Sequence, residues 1–187
     1  MPRQGFSYRF RDAIVRKPGR SVVDGLRAKD RGAPDFERFQ LEHRGYIHAL
    51  EKAGVHVTVL DALEDYPDAV FVEDAALCLP EGVVELRPGA PSRTGEAALL
   101  AGTLAGLGYE VVHCGSKGFI EGGDILMTDS ETLVGLSQRT NRSGFEWLRS
   151  ILRDWGYPVR AVRTPERVLH FKSDCCVLDS QTILATE

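Results

Sequence analysis

The feature that most constrains this chain is a repeat. The stretch "DAALCLPEGVVELR", residues 74–87, sets two apolar runs around Pro80-Glu81-Gly82, the pattern of a β-hairpin. Helical spacing follows in "TGEAALLAGTLAGLG", with Thr94 read as the N-cap and Gly108 as the stop. "YEVVHC" then reads as a strand. The order returns with the hairpin "DILMTDSETLVGLS", the helix "NRSGFEWLRSILRDWG" stopped by Gly156, and the strand "YPVRAVR". A third hairpin pattern is "DCCVLDSQTILATE". Ahead of the first lie a helix, "DFERFQLEHRGYIHALEKAG", and a strand, "VHVTVL". Hairpins recurring about every fifty residues predict an α/β fold of ββαβ modules, arranged as a stacked solenoid or a closed ring. A module needs a helix to cover its strands, and the third hairpin is followed by none before Glu187. The pattern therefore predicts a single domain over 1–187, cut before its final module or modules.

A chain of 187 residues can bury one sizeable core. Its net charge of -4, without a basic stripe, excludes a nucleic-acid binder, because neutralising phosphates takes clustered Lys and Arg. No long uncharged apolar run predicts a membrane span. The start, "MPRQGFSYRFRDAIV", lacks the apolar core of a signal peptide, so the cytoplasm is the expected compartment. Four cysteines, Cys78, Cys114, Cys175 and Cys176, show no CxxC spacing, which argues against structural zinc and for free thiols. Cys78 and Cys114 lie in apolar strand-like runs and are expected to be small buried hydrophobes.

The polar residues carry the functional signal. "YPDAVFVEDAAL" sets Asp68, Glu73 and Asp74 around an apolar strand start, where a buried carboxylate is costly unless a cation meets it. "FIEGGD" brings Glu121 and Asp124 to the start of the next hairpin, at a point matching Asp74 in the one before. Such acids are either solvated turn formers or groups aimed at a common centre; Asp74 and Glu121 together favour the second. Arg93 in "PGAPSRTGE" and Arg139 in "GLSQRTNRSG" each precede a helix. Either alone reads as surface charge, yet a guanidinium fork suits a carboxylate. Acids and arginines on one rim suggest a ligand with both charges, such as an amino acid with a cationic side chain. His170, in "RVLHFKSD" ahead of the third hairpin, falls in register with the acids and is the candidate acid/base.

Taken together, "PDAVFVED", "RPGAPSRTGE", "EGGDIL", "VGLSQRTN" and "LHFKSDC" resemble the dimethylarginine dimethylaminohydrolases, of the pentein or guanidine-modifying superfamily. The match runs from about Arg16 onward. "EGGD" alone is shared with arginine deiminases and amidinotransferases, whereas "PSR" before a helix and "SQRTN" point more narrowly. The resemblance implies a pentein-type α/β propeller, ββαβ modules with pseudo-fivefold symmetry around a channel, incomplete in this chain. It implies hydrolysis of asymmetric dimethylarginine or monomethylarginine to citrulline and dimethylamine or methylamine.

On matching positions, Asp74 and Glu121 grip the guanidinium. Glu73 and Phe71 line its methylated end, and Asp68 binds the α-amino group. Arg93 and Arg139 hold the α-carboxylate, Leu26 in "VVDGLRA" belongs to a lid loop, and His170 is the general acid/base. The implied mechanism is covalent, through a cysteine thiolate and a thiouronium intermediate. Neither a metal nor an organic cofactor is implied; the partner is a small molecule, and a homodimer is within the family's range.

The family's nucleophilic cysteine, near the end of the full enzyme, finds no match. Along an extended strand Cys175 and Cys176 lie roughly 16 and 20 Å from His170. They read as packed thiols at the start of a hairpin, so this chain alone is expected not to turn over substrate. Two other readings stay open: an arginine deiminase or amidinotransferase-like pentein, and a non-catalytic pentein that only binds a ligand.

Overall fold

Local pattern and long-range pairing combine differently along the chain. The computed structural model describes residues 5, 7–27, 29 and 31–186. Two compact units emerge, Phe10–Val72 and Met1–Arg9 with Glu73–Glu187.

In the Phe10–Val72 unit, β1 (Asp12–Arg16) and β2 (His56–Leu60) pair in parallel, from Asp12 opposite His56 to Arg16 opposite Leu60. Helix α1 (Phe36–Lys52) connects them. Asp35 caps it, accepting from the Arg38 amide at 3.0 Å. Phe36, Phe39, His43, Ile47 and Leu50 recur at helical spacing and form its half-buried stripe. β1 is an addition to the sequence reading: "DAIVR" is too short to show periodicity, and its partner lies far along the chain.

The second unit holds two complete modules. In the first, β3 (Ala76–Leu79) and β4 (Gly82–Glu85) form the expected hairpin. Gly82 makes its turn possible, with a φ of 149° and its Cα so near the Glu110 carbonyl that a Cβ would sit 2.8 Å from that oxygen. Helix α2 (Glu96–Gly106) leads to β5 (Val111–Val112), parallel to β4. The helix starts later than the sequence suggests. Thr94 closes a 3-10 turn at Pro91–Arg93, and Gly95, at φ 95°, reverses the backbone ahead of Glu96.

The second module repeats the plan with β6 (Ile125–Met127), β7 (Thr132–Leu136), α3 (Arg142–Asp154) and β8 (Val159–Arg163), in sheet order β6-β7-β8. Asn141 caps α3 by accepting from the Gly144 amide at 2.9 Å. Its buried stripe of Phe145, Leu148 and Leu152 joins Ile120, Ile125, Val134 and Tyr157, and also Leu79, Val84 and Leu86 of the first module. One core therefore holds both modules. Each fully buried side chain of this size contributes about 1.5–3 kcal/mol.

The third hairpin, β9 (Cys175–Val177) with β10 (Ile183–Ala185), forms as expected. Its covering differs. β4 and β7 each gain a parallel partner and a helix, whereas no strand but β9 pairs with β10 among the described residues. Ile183 and Leu184 remain 46% and 59% exposed. The expectation of packed thiols is corrected accordingly: Cys176 is exposed and Cys175 only half-buried. Cys78, too, is exposed rather than buried, at the one exposed position of β3, and Cys114 is half-buried. Among the described residues no helix is long and apolar enough to cross a membrane.

A short 3-10 turn precedes every hairpin, at Val72–Ala75, Gly122–Asp124 and Phe171–Ser173. Elements of this length show no periodicity, so sequence pattern is silent about them.

Candidate functional site

These turns position the polar residues. Glu121 and His170 each stand immediately before a turn, in extended conformation. Asp74 is the third residue of its own turn, as Asp124 is of the next. The expected common register of Asp74, Glu121 and His170 is thus corrected: Glu121 and His170 share it, and the counterpart of Asp74 is Asp124. The side chains converge nonetheless, with one polar atom from each of Asp74, Glu121 and His170 inside a span of 4.8 Å.

The fully buried Glu121 is the hub. Its Oε2 lies 2.8 Å from His170 Nε2, its Oε1 accepts from the Gly89 amide at 3.2 Å, and Arg139 Nη1 stands 3.6 Å from Oε1. Asp74 accepts the Gly123 amide at 3.1 Å on Oδ1 and Arg93 Nη1 at 2.7 Å on Oδ2. Arg93 turns its other face to Glu96, donating from Nε at 2.8 Å and from Nη2 at 2.6 Å. This fork is nearly inaccessible, its side chain 3% exposed, while that of Arg139 is 22% exposed. The two arginines paired in the sequence reading therefore occupy unlike settings.

The glycines of "EGGD" have separate reasons. A Cβ on Gly122 would collide with the Glu73 backbone. One on Gly123 would sit 2.7 Å from His170 Cγ, so the imidazole rests on bare backbone. Burial disfavours charge on Glu121, yet the His170 hydrogen bond and the nearby Arg139 and Arg93 hold its carboxyl below the ordinary range. For His170, burial lowers the affinity for a proton, but Glu121, Asp74 and Asp124 together raise it above the usual histidine value. The arrangement is an anionic floor with one proton-carrying group beside it, suited to a cationic planar group such as a guanidinium.

The remaining candidates separate. Glu73 is exposed and forms an ion pair with Lys172, a residue the sequence reading passed over although it lies in "HFKSD". Glu96 and Asp124 were also passed over as site components. Glu96 carried a signal, three residues after Arg93 in the first turn of a helix. In the Phe10–Val72 unit, Asp68 is buried and accepts the Leu26 amide at 3.1 Å, while Leu26 and Phe71 are exposed. Ala28, at the end of the lid motif, lies outside the described residues.

The turn at Phe171–Ser173 breaks the extended path assumed between His170 and the two cysteines. Cys175 Sγ donates to the Phe171 carbonyl at 3.3 Å. Burial, with Cys176 and Asp174, pushes its thiol up against the opposing effect of Lys172. Such a thiol is poorly populated as the nucleophilic thiolate.

Known proteins share this fold. The structure superposes with a TM-score of 0.89 on that of a cysteine-to-serine variant of Pseudomonas aeruginosa dimethylarginine dimethylaminohydrolase complexed with citrulline. The two share 37% identity over 95% of this chain and 70% of that one. A histidine-to-glycine variant of a dimethylarginine dimethylaminohydrolase, carrying an S-methyl-L-thiocitrulline adduct, gives the same score. The N-terminal domain of a cyanobacterial arginine dihydrolase, 23% identical, matches in fold with a TM-score of 0.79. The fold is a pentein fold, and the chain is that of a guanidine-modifying enzyme. Residues 35–179 match the family described as N,N dimethylarginine dimethylhydrolase, eukaryotic. The Pseudomonas aeruginosa protein named N(G),N(G)-dimethylarginine dimethylaminohydrolase is 38% identical over 94% of this chain and 69% of its own length. One of the same name from Streptomyces coelicolor is 33% identical over 92% of this chain and 67% of its own. The chain belongs to the dimethylarginine dimethylaminohydrolase family.

Proposed function

We propose that this chain supplies the guanidinium-binding and proton-transfer groups for hydrolysis of Nω-methylated arginine to citrulline and dimethylamine or methylamine. The observation that carries the reading is the convergence of Asp74, Glu121 and His170 within 4.8 Å. Asp74 and Glu121 hold the delocalised positive charge. Arg139 holds the α-carboxylate, Asp68 the α-amino group, and Glu73, Phe71 and Leu26 the methylated end and the lid; Arg93, enclosed by Asp74 and Glu96, braces those acids instead of meeting the ligand. A cysteine thiolate attacks the guanidinium carbon. The bond to the methylated nitrogen breaks, and His170 gives that amine its proton as it leaves. His170 then takes a proton from water, whose oxygen attacks the thiouronium carbon and expels the thiolate, leaving citrulline. The raised proton affinity of His170 supports the first of these steps. The settings of Cys175 and Cys176 do not support either as the thiolate, so this chain without a further cysteine is inactive in the proposal. The four free thiols support a cytoplasmic setting.

Calorimetry with asymmetric dimethylarginine, monomethylarginine and arginine tests the reading. Methylated ligands are expected to bind, and Glu121→Gln to weaken them. Tighter binding of plain arginine would favour the deiminase alternative. Citrulline release by this chain alone would overturn the assignment of the thiolate to a cysteine other than these four.

A further inference from the structure

We propose that Asp124 is a positioning residue that sets His170 and Arg139 with one carboxylate: one oxygen holds the turn that follows His170, and the other holds, through Ser137, the loop carrying Arg139. The proposal rests on the reading of His170 and Arg139 as site residues.

Asp124 is completely buried, where a carboxylate is costly unless donors meet it. Oδ1 accepts the Phe171 amide at 2.8 Å, fixing the backbone directly after His170. Oδ2 accepts the Ser137 hydroxyl at 2.6 Å. Having donated its one proton there, the Ser137 oxygen accepts the Arg139 amide at 2.9 Å and the Thr140 amide at 3.2 Å. The Thr140 hydroxyl in turn accepts the Glu121 amide at 3.2 Å. A single buried acid therefore ties together the backbones that present all three groups. Gly135 in β7 admits the arrangement, since a Cβ there would lie 2.5 Å from Phe171 Cβ and 3.2 Å from Asp124 Oδ1. A carboxylate serving only to stabilise the hairpin would need neither branch to end on a site residue.

The two arms can be cut separately in the whole chain. Asp124→Asn removes the charge and disturbs both arms; Ser137→Ala removes only the Arg139 arm, and Ser137→Thr restores its hydroxyl. The acids facing His170 are Glu121, Asp74 and Asp124, so an NMR titration of its imidazole reports on the first arm without any ligand. Asymmetric dimethylarginine affinity reports on the second. Asp124→Asn is expected to lower the imidazole titration and to remove the downfield proton signal of the His170–Glu121 bond. Ser137→Ala should keep the downfield His170–Glu121 proton signal yet weaken ligand binding about tenfold, with Ser137→Thr recovering most of it. A folded Asp124→Asn with unaltered His170 signals overturns the proposal, as does a Ser137→Ala that binds like the parent. Should Asp124→Asn not fold, Ser137→Ala decides alone. Should the parent bind no methylarginine, the functional reading fails while the His170 signals still decide the positioning.

Discussion

His170 Nε2 lies 2.8 Å from Glu121 Oε2, and the two residues hold the same place in successive modules, each just before a 3-10 turn. The repeat itself makes the pair, because two copies of one backbone shape aim their side chains at a shared point. Glu121→Gln keeps the burial that disfavours the imidazolium and removes its nearest anion. The His170 pKa is then expected to fall, and an NMR titration that leaves it raised would count against the pair.

Arg93 is enclosed by Asp74 and Glu96. Arg93→Met strands two buried carboxylates, and breaking such a buried set costs about 3–5 kcal/mol. Urea unfolding should show a loss of that size. Adding Glu96→Leu should return part of it, since one orphaned charge is gone. An Arg93→Met protein as stable as the parent would mean that Asp74 and Glu96 find other partners.

Gly123 sits under the imidazole. Gly123→Ala introduces a Cβ 2.7 Å from His170 Cγ, closer than such atoms approach, so the ring must move. The three atoms nearest that Cβ all belong to the His170 side chain, and unfolding should change by about 1–3 kcal/mol. The expected result is a folded protein that has lost the His170–Glu121 proton signal. Retention of that signal would show that the ring has room to spare.

Hairpins, α1, α3 and the strands that follow them were legible because they carry periods of two and 3.6 residues over several turns. The polar register was half legible. Glu121 and His170 share the place just before a 3-10 turn although they stand four and five residues ahead of their hairpins, whereas Asp74 converges with them from three residues deeper in its turn. That depended on a 3-10 element with no pattern of its own. Thr94 looked like a cap by residue type, but Gly95 carries the left-handed turn that the start of α2 requires. The cysteines were misjudged for a different reason. An apolar run predicts burial only if something packs on it, and all three residues of β10 are exposed. Asp124 stood inside a recognised motif, yet its role depends on Phe171 and Ser137, whose nearness exists only after β6 and β7 pair.

The pH dependence of stability follows from the same hub. The Glu121 carboxyl is held below its ordinary value of 4.5, so its contribution is complete above that value and is lost as pH falls through the lowered one. His170 is raised above 6.5, so its contribution is complete below 6.5 and is lost as pH rises through the raised value. Asp124 works in the opposite sense to Glu121: burial raises its carboxyl above 3.8, and the fold yields stability as that group ionises. Between pH 4.5 and 6.5 both members of the His170–Glu121 pair contribute in full. His170→Asn removes the basic member while leaving a planar polar side chain. The stability difference between parent and His170→Asn is therefore expected to be flat across that window and to shrink as pH rises from 6.5 through the raised His170 value. Chemical unfolding at steps from pH 4 to 9 measures it, and a difference that stays constant to pH 9 would show that folding does not raise the His170 pKa.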